Sequence, residues 1–196
     1  MTCRPWRSFT AAIDWRRGVV AALTAILCCT LVARAQDVTE PSLKAAFIYN
    51  FAKFTEWPPD VLSGAAPFSA CVLGDESISD ALERSVKGRL LSGREISVSR
   101  VTHDAPLRSC HLLYISGVTA VQAGAILAVV RGAPVLTISD LDDVARLGGI
   151  AHMFVENGKM RFDLNLELAR RSRLQLSSKL LVLAARVHEG PGPEKR

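Results

Sequence analysis

Aromatic residues are scarce in this chain: Phe, Trp and Tyr together make up 6% of its 196 residues. Phosphate-binding signatures are lacking as well. There is no G-x-G-x-x-G and no G-x-x-x-x-G-K-[ST], so neither a dinucleotide fingerprint nor a P-loop is present. The histidines, His103, His111, His152 and His188, show no metal-ligand spacing such as H-x-x-x-H, and no G-x-S-x-G elbow accompanies them. Ser177-Ser178-Lys179 invites a serine–lysine reading, but a serine N-cap ahead of an apolar helix accounts for it. No internal repeat or low-complexity tract is found. These absences leave no catalytic constellation, no cofactor motif and no metal set, and the chain reads as a non-enzyme.

Long apolar runs are confined to the start. Arg4, Arg7, Arg16 and Arg17 precede an apolar stretch from Gly18 to Val32, and Ala33-Arg34-Ala35 supplies the small residues of a cleavage site. The stretch is about 15 residues, short for a membrane span, which needs roughly 20. The expectation is a cleaved secretory signal over 1–35 and export to the periplasm; an uncleaved anchor is the alternative. The formal charge of +5 owes four units to this segment, where Arg4, Arg7, Arg16, Arg17 and Arg34 stand against Asp14. What remains is nearly neutral, which gives no support for nucleic-acid binding. Residues 36–189 suit one domain with one core, without membrane insertion after cleavage, and 190–196 reads as a disordered tail.

Cysteines are few once the leader is set aside. Cys3, Cys28 and Cys29 leave with it, and Cys71 and Cys110 remain. In an exported chain two cysteines read as one disulfide, the alternative being two separate buried thiols. Both lie in or beside strands expected to be neighbours. If the strand ends align, however, the pair is offset by about 10 Å, so the bond needs a staggered register or Cys110 folding back from its loop.

What is present in quantity is a helix with a heavy aromatic load, Ser42 to Trp57, closed by Pro58 and Pro59. Leu43, Phe47, Phe51 and Phe54 fall three and four apart, which predicts one buried stripe, with Thr39 as N-cap. After it, apolar strands alternate with helices. Strands are expected at 68–73, 94–101, 110–115 and 133–138, and helices at 77–86 (capped by Ser77 or Ser79), 118–130 and 141–147. Then Asn157-Gly158 predicts a hairpin between 150–155 and 159–164. Asn165 should cap a helix to Arg171, and a last helix is expected over 177–187. The fold class is α/β: a three-layer domain with a mostly parallel sheet, helices on both faces and an antiparallel hairpin near the C-terminus.

Ligands in such folds sit beyond the carboxyl ends of the strands. That makes Gly74-Asp75, Ser116-Gly117 and Ser139-Asp140 the candidate ligand loops, with Gly74, Asp75, Ser116 and Asp140 as the residues to watch. Asp75 and Asp140 with Asp142 and Asp143 would suit a hard cation, but acidic residues at helix starts more commonly complement the dipole.

Eight segments in order, K-A-A-F-I-Y-N-F-A-K-F-T-E-W-P (44–58), C-V-L-G-D (71–75), L-S-G-R (91–94), C-H-L-L-Y-I (110–115), V-L-T-I-S-D (135–140), G-G (148–149), R-F-D-L-N (161–165) and L-S-S-K-L-L (176–181), resemble the YfiR family. The resemblance implies an exported α/β regulator, in the best-understood case a dimer. That regulator holds the periplasmic domain of an inner-membrane diguanylate cyclase inactive and so lowers cyclic di-GMP signalling and biofilm formation. Some members carry a second cysteine pair in the last third, where this chain has Ala145 and His152, so a redox response here would run through Cys71 and Cys110 alone.

Three readings follow: a binding module that restrains a membrane cyclase or sensor kinase, a small-ligand receptor feeding the same signalling, and an enzyme. Tyr49, Lys53 and Trp57 fall off the predicted stripe, as does Lys44, and are the candidate partner-binding residues, aromatics beside long cations being common at interfaces. The competing role for Trp57 is to cover the sheet edge where the chain turns at Pro58.

Overall fold

The structure is a computed structural model and describes residues 39–142 and 144–190. The expected leader (1–35) and the tail from 191 onward lie outside the described residues.

Helix α1 spans Glu40–Lys53. Thr39 caps it as expected, its hydroxyl accepting from the Ser42 N–H, and Pro41 sits in the first turn, where no backbone donor is required. The buried stripe differs from the predicted one. Ala45, Ile48, Phe51 and Ala52 are buried, whereas Leu43, Phe47 and Phe54 are only partly so. Small alanines let the helix lie close on its neighbours, and Phe47 packs from the side, its ring 6.1 Å from that of Phe162. Nor do the prolines end the helix. It stops at Lys53, and Thr55–Glu56 (β1) pair antiparallel with Gln175–Leu176 (β9), with the Thr55 hydroxyl donating to the Phe51 carbonyl at 2.8 Å.

The main sheet has eight strands: β2 (Phe68–Leu73), β3 (Leu90–Leu91), β4 (Arg94–Arg100), β5 (Leu112–Ile115), β6 (Leu136–Ser139), β7 (Ala151–Glu156), β8 (Lys159–Asn165) and β10 (Arg186–His188). Their order is β10-β8-β7-β6-β5-β2-β4-β3, parallel except at the β7/β8 and β3/β4 pairs. Alternation along the central strands divides the core in two. Phe68, Ala70, Val72, Leu112, Tyr114 and Ile138 pack with α1 and with α2 (Glu76–Val86). Cys71, Leu73, Leu113 and Ile115 face α3 (Ala120–Val130) and Val144 of α4 (Val144–Leu147). The mostly parallel three-layer class is therefore observed.

Several boundaries move for local reasons. Asp75, rather than Ser77 or Ser79, caps α2, its Oδ1 accepting from the Ser77 N–H at 2.8 Å. The short strand β3, unforeseen in the sequence, forms because Ser92 and Gly93 both adopt positive φ and turn the chain straight back into β4. Asn157 and Gly158 do the same for β7/β8, as expected. Asn165 caps α5 (Leu166–Arg171), also as expected. The last helix is shorter than predicted. Helix α6 covers Ser178–Leu183, and the Ala185 N–H then bonds the Phe162 carbonyl at 2.8 Å, which brings 186–188 onto the sheet edge as β10.

Cys71 and Cys110 form a disulfide with Cα atoms 6.0 Å apart. In register Cys71 lies opposite Leu113, three residues beyond Cys110, so the strands alone do not bring the pair together. Cys110 is not in the strand. It closes a 3-10 turn, Leu107–Ser109, with its N–H on the Leu107 carbonyl at 3.2 Å, and that turn folds the chain back over β2.

Candidate functional site

The three strand-end loops meet at one end of the sheet. Gly74 packs so closely on the next loop that a Cβ there would lie 1.8 Å from the Ser116 carbonyl oxygen, and its φ of +105° also calls for glycine. The Asp75 N–H donates to the Ser116 hydroxyl at 3.1 Å. Asp140, the last of the four residues, is taken by Lys44: Nζ lies 2.6 Å from its Oδ2 and 2.8 Å from Glu40. Lys44 was expected to stand free beside a partner surface. Its side chain is instead 14% exposed and ties the first turns of α1 to the end of β6. Burial works against its charge, but the hydrogen bonds to Asp140 and Glu40 outweigh this and raise its pKa.

Beneath these loops lies Tyr114, fully buried, with no hydrogen-bond partner for its hydroxyl among the described residues. Burial first, and then the charge of Asp140, push its ionisation well above the ordinary range, so the phenol stays protonated. Asp75 is shifted the other way: hydrogen bonding from Ser77 holds its carboxyl below the usual value. The loops are thus bound to one another and to α1. No group of three or more potential metal ligands occurs among the described residues.

The proposed partner residues separate. Trp57 is a correction: it is 8% exposed, its indole N–H donates to the carbonyls of His111 and Pro134 at 3.2 and 3.0 Å, and its ring lies edge-on to Phe68 at 4.9 Å. It belongs to the core because the chain, leaving β1, runs inward under Pro58. Tyr49 is half-buried, with the Arg89 guanidinium 4.9 Å from its ring centre. Lys53 remains exposed and lies 5.6 Å from the Phe54 ring, against which Lys179 also lies at 5.7 Å. Phe54 and Lys179 are therefore the members of this surface that sequence reasoning missed, since periodicity had placed Phe54 inside.

A second polar group was also overlooked. Across β7, β8 and β10, His152, Asp163 and Arg186 stand in one row of the sheet. Asp163 is 3% exposed; its Oδ2 accepts from Nε and Nη2 of Arg186 at 3.0 and 2.8 Å, while its Oδ1 has no partner among the described residues. His152 is buried with Nε2 unpartnered among the described residues, and burial lowers its pKa against the pull of Asp163. The signal was available: a two-residue turn at Asn157-Gly158 sets 152 opposite 163.

Taken together, these features define a disulfide-pinned α/β domain with its strand-end loops internally tied. Residues 41–185 match DUF4154, described as YfiR/HmsC-like, and the chain belongs to that family of periplasmic-type regulators. No curated protein matches it. Among solved structures it is similar to a conserved domain protein from Vibrio cholerae O1 biovar El Tor, with TM-score 0.51 and 11% identity over 76% of this chain and 60% of that one. It is also similar to the ABC domain in complex with L-Trp from Streptococcus pneumoniae, with TM-score 0.49 and 10% identity over 73% of this chain and 60% of that one, a likeness too loose to bear on function. The chain spans about 60% of the length of each of these structures. Among the described residues no helix is long and apolar enough to cross a membrane.

Proposed function

We propose that this protein is an exported regulator, not an enzyme, that acts as a homodimer and restrains an inner-membrane diguanylate cyclase through the cyclase's periplasmic domain, lowering cyclic di-GMP signalling. Family membership over residues 41–185 is the observation that carries the reading. The Cys71–Cys110 bond agrees with an oxidising compartment. The contact surface on this reading is the exposed end of α1 with α6, where Lys53 and Lys179 flank Phe54. An aromatic ring between two cations suits a partner with an acidic, partly apolar face.

Purification of the tagged protein from detergent-solubilised membranes tests this directly. A diguanylate cyclase should co-purify, and deletion of the protein should raise cyclic di-GMP. Reversing charge at Lys53→Glu with Lys179→Glu should release the cyclase without changing the unfolding temperature. Unchanged cyclic di-GMP after deletion, with no cyclase recovered, would refute the proposal; a sensor kinase recovered instead would transfer the same role to that class.

A further inference from the structure

On the sheet face opposite α1, a groove of about 700 Å³ runs between α3 and the chain leaving β4. Leu73 forms its floor, Val118, Ile126 and Val129 one wall, and Val101 and Thr102 the other. The volume falls within the range of small-molecule sites, which are mostly apolar with a few polar groups to orient the ligand. Val129 is still 48% exposed on this wall. A bound apolar body would remove it from water.

The charges at the end of the groove are unequal. Arg100 is engaged by Asp80, and His103 stands 3.1 Å from Asp104. Asp75 and Glu76 have no ion-pair partner among the described residues; the Asp75 carboxylate accepts from the Ser77 N–H and hydroxyl, at 2.8 and 2.7 Å, and lies within the field of Lys44 without pairing to it. The N-terminus of α2 contributes about half a positive charge, against two full negative ones, so this end is net acidic. An anion would meet repulsion there, and a neutral ligand would gain nothing from it.

We propose that the groove binds a small organic cation, its apolar body along α3 and its ammonium group beside Glu76 and Asp75. The site lies on the opposite sheet face from the α1 surface and does not depend on the cyclase reading.

Calorimetric titration of the oxidised full-chain protein tests it with three probes that share one body: 2-phenylethylamine, 2-phenylethanol and phenylacetate. The amine should bind about tenfold more tightly than the alcohol, and phenylacetate more weakly than either. Ala125→Trp, at an exposed position on the groove wall, should abolish amine binding. Glu76→Gln should reduce the amine to the affinity of the alcohol. Both positions are exposed, so an unchanged unfolding temperature certifies the fold. The proposal is overturned by absence of saturable binding of the amine, by phenylacetate binding as tightly, or by an amine affinity that either substitution leaves unchanged. No cyclase is present in these titrations, so their failure leaves the regulatory reading untouched.

Discussion

The Cα of Gly74 rests against the backbone carbonyl of Ser116, with room for no Cβ between them: the nearest approach would be 1.8 Å. This contact closes the loop after β2 onto the loop after β5 and lets the Asp75 N–H reach the Ser116 hydroxyl. Gly74→Ala should therefore force backbone apart and cost about 2–4 kcal/mol of stability, read by denaturant unfolding. Gly132→Ala is the control, since Gly132 also has positive φ, +70°, but nothing lies within 4 Å of a Cβ there. Its cost should be limited to the left-handed backbone, about 1–2 kcal/mol. Equal losses for the two would show that the Ser116 contact does not matter.

Trp57 joins three parts of the fold: β1, the start of β5 and the residue before Val135. Trp57→Ala should lower stability by about 3–5 kcal/mol, as expected for a large buried ring. Trp57→Phe keeps much of the packing but leaves the His111 and Pro134 carbonyls without their shared donor, at a cost of about 1–2 kcal/mol. Thermal unfolding of the isolated protein measures both. An unchanged melting temperature for the alanine variant would contradict a core role.

Stability should fall as pH drops below about 6.5. His111 and His152 are both held below that value, chiefly by burial, so the unfolded chain binds protons there that the folded one resists. Their contribution is complete above the unfolded value and is lost as pH falls towards the folded one. In His111 the reason is also geometric, because Nδ1 accepts the Ser69 N–H at 2.8 Å and protonation there would remove the acceptor. Asp60 and Asp75, whose pKa values are lowered, act only in the carboxylate range, below the histidine window. Urea unfolding between neutral and mildly acid pH checks this, and His152→Gln should flatten part of the slope.

Arg186 and Asp163 are an unequal pair, 66% and 4% exposed at the side chain. Arg186→Ala strands a buried carboxylate and should lower stability in chemical unfolding. Asp163→Asn leaves a neutral side chain in the same place and should cost less. If the asparagine variant is the less stable of the two in chemical unfolding, the stranded charge is not the governing term.

The sequence by itself determined the features that depend on neighbours a few residues apart. The Thr39 cap needs only the Ser42 N–H, and Asn157-Gly158 needs only two residues able to take positive φ. From that one turn the pairing of His152 with Asp163 follows by counting. Alternation likewise sorted Cys71 and Val72 onto opposite faces. Only the tertiary structure decided what the long-range partners were. Lys44 could be read as a free surface cation until Asp140, 96 residues away, arrived at the end of β6. Phe54 lies in phase with the helix period but falls at the helix end, half-buried against the core, with Lys179 of α6 beside its ring. Cys110 reached Cys71 through a turn that the strand pattern had absorbed. Periodicity reports which side chains share a face. Which faces are covered, and by what, is set by strand order, because packing brings distant segments together without leaving a local pattern.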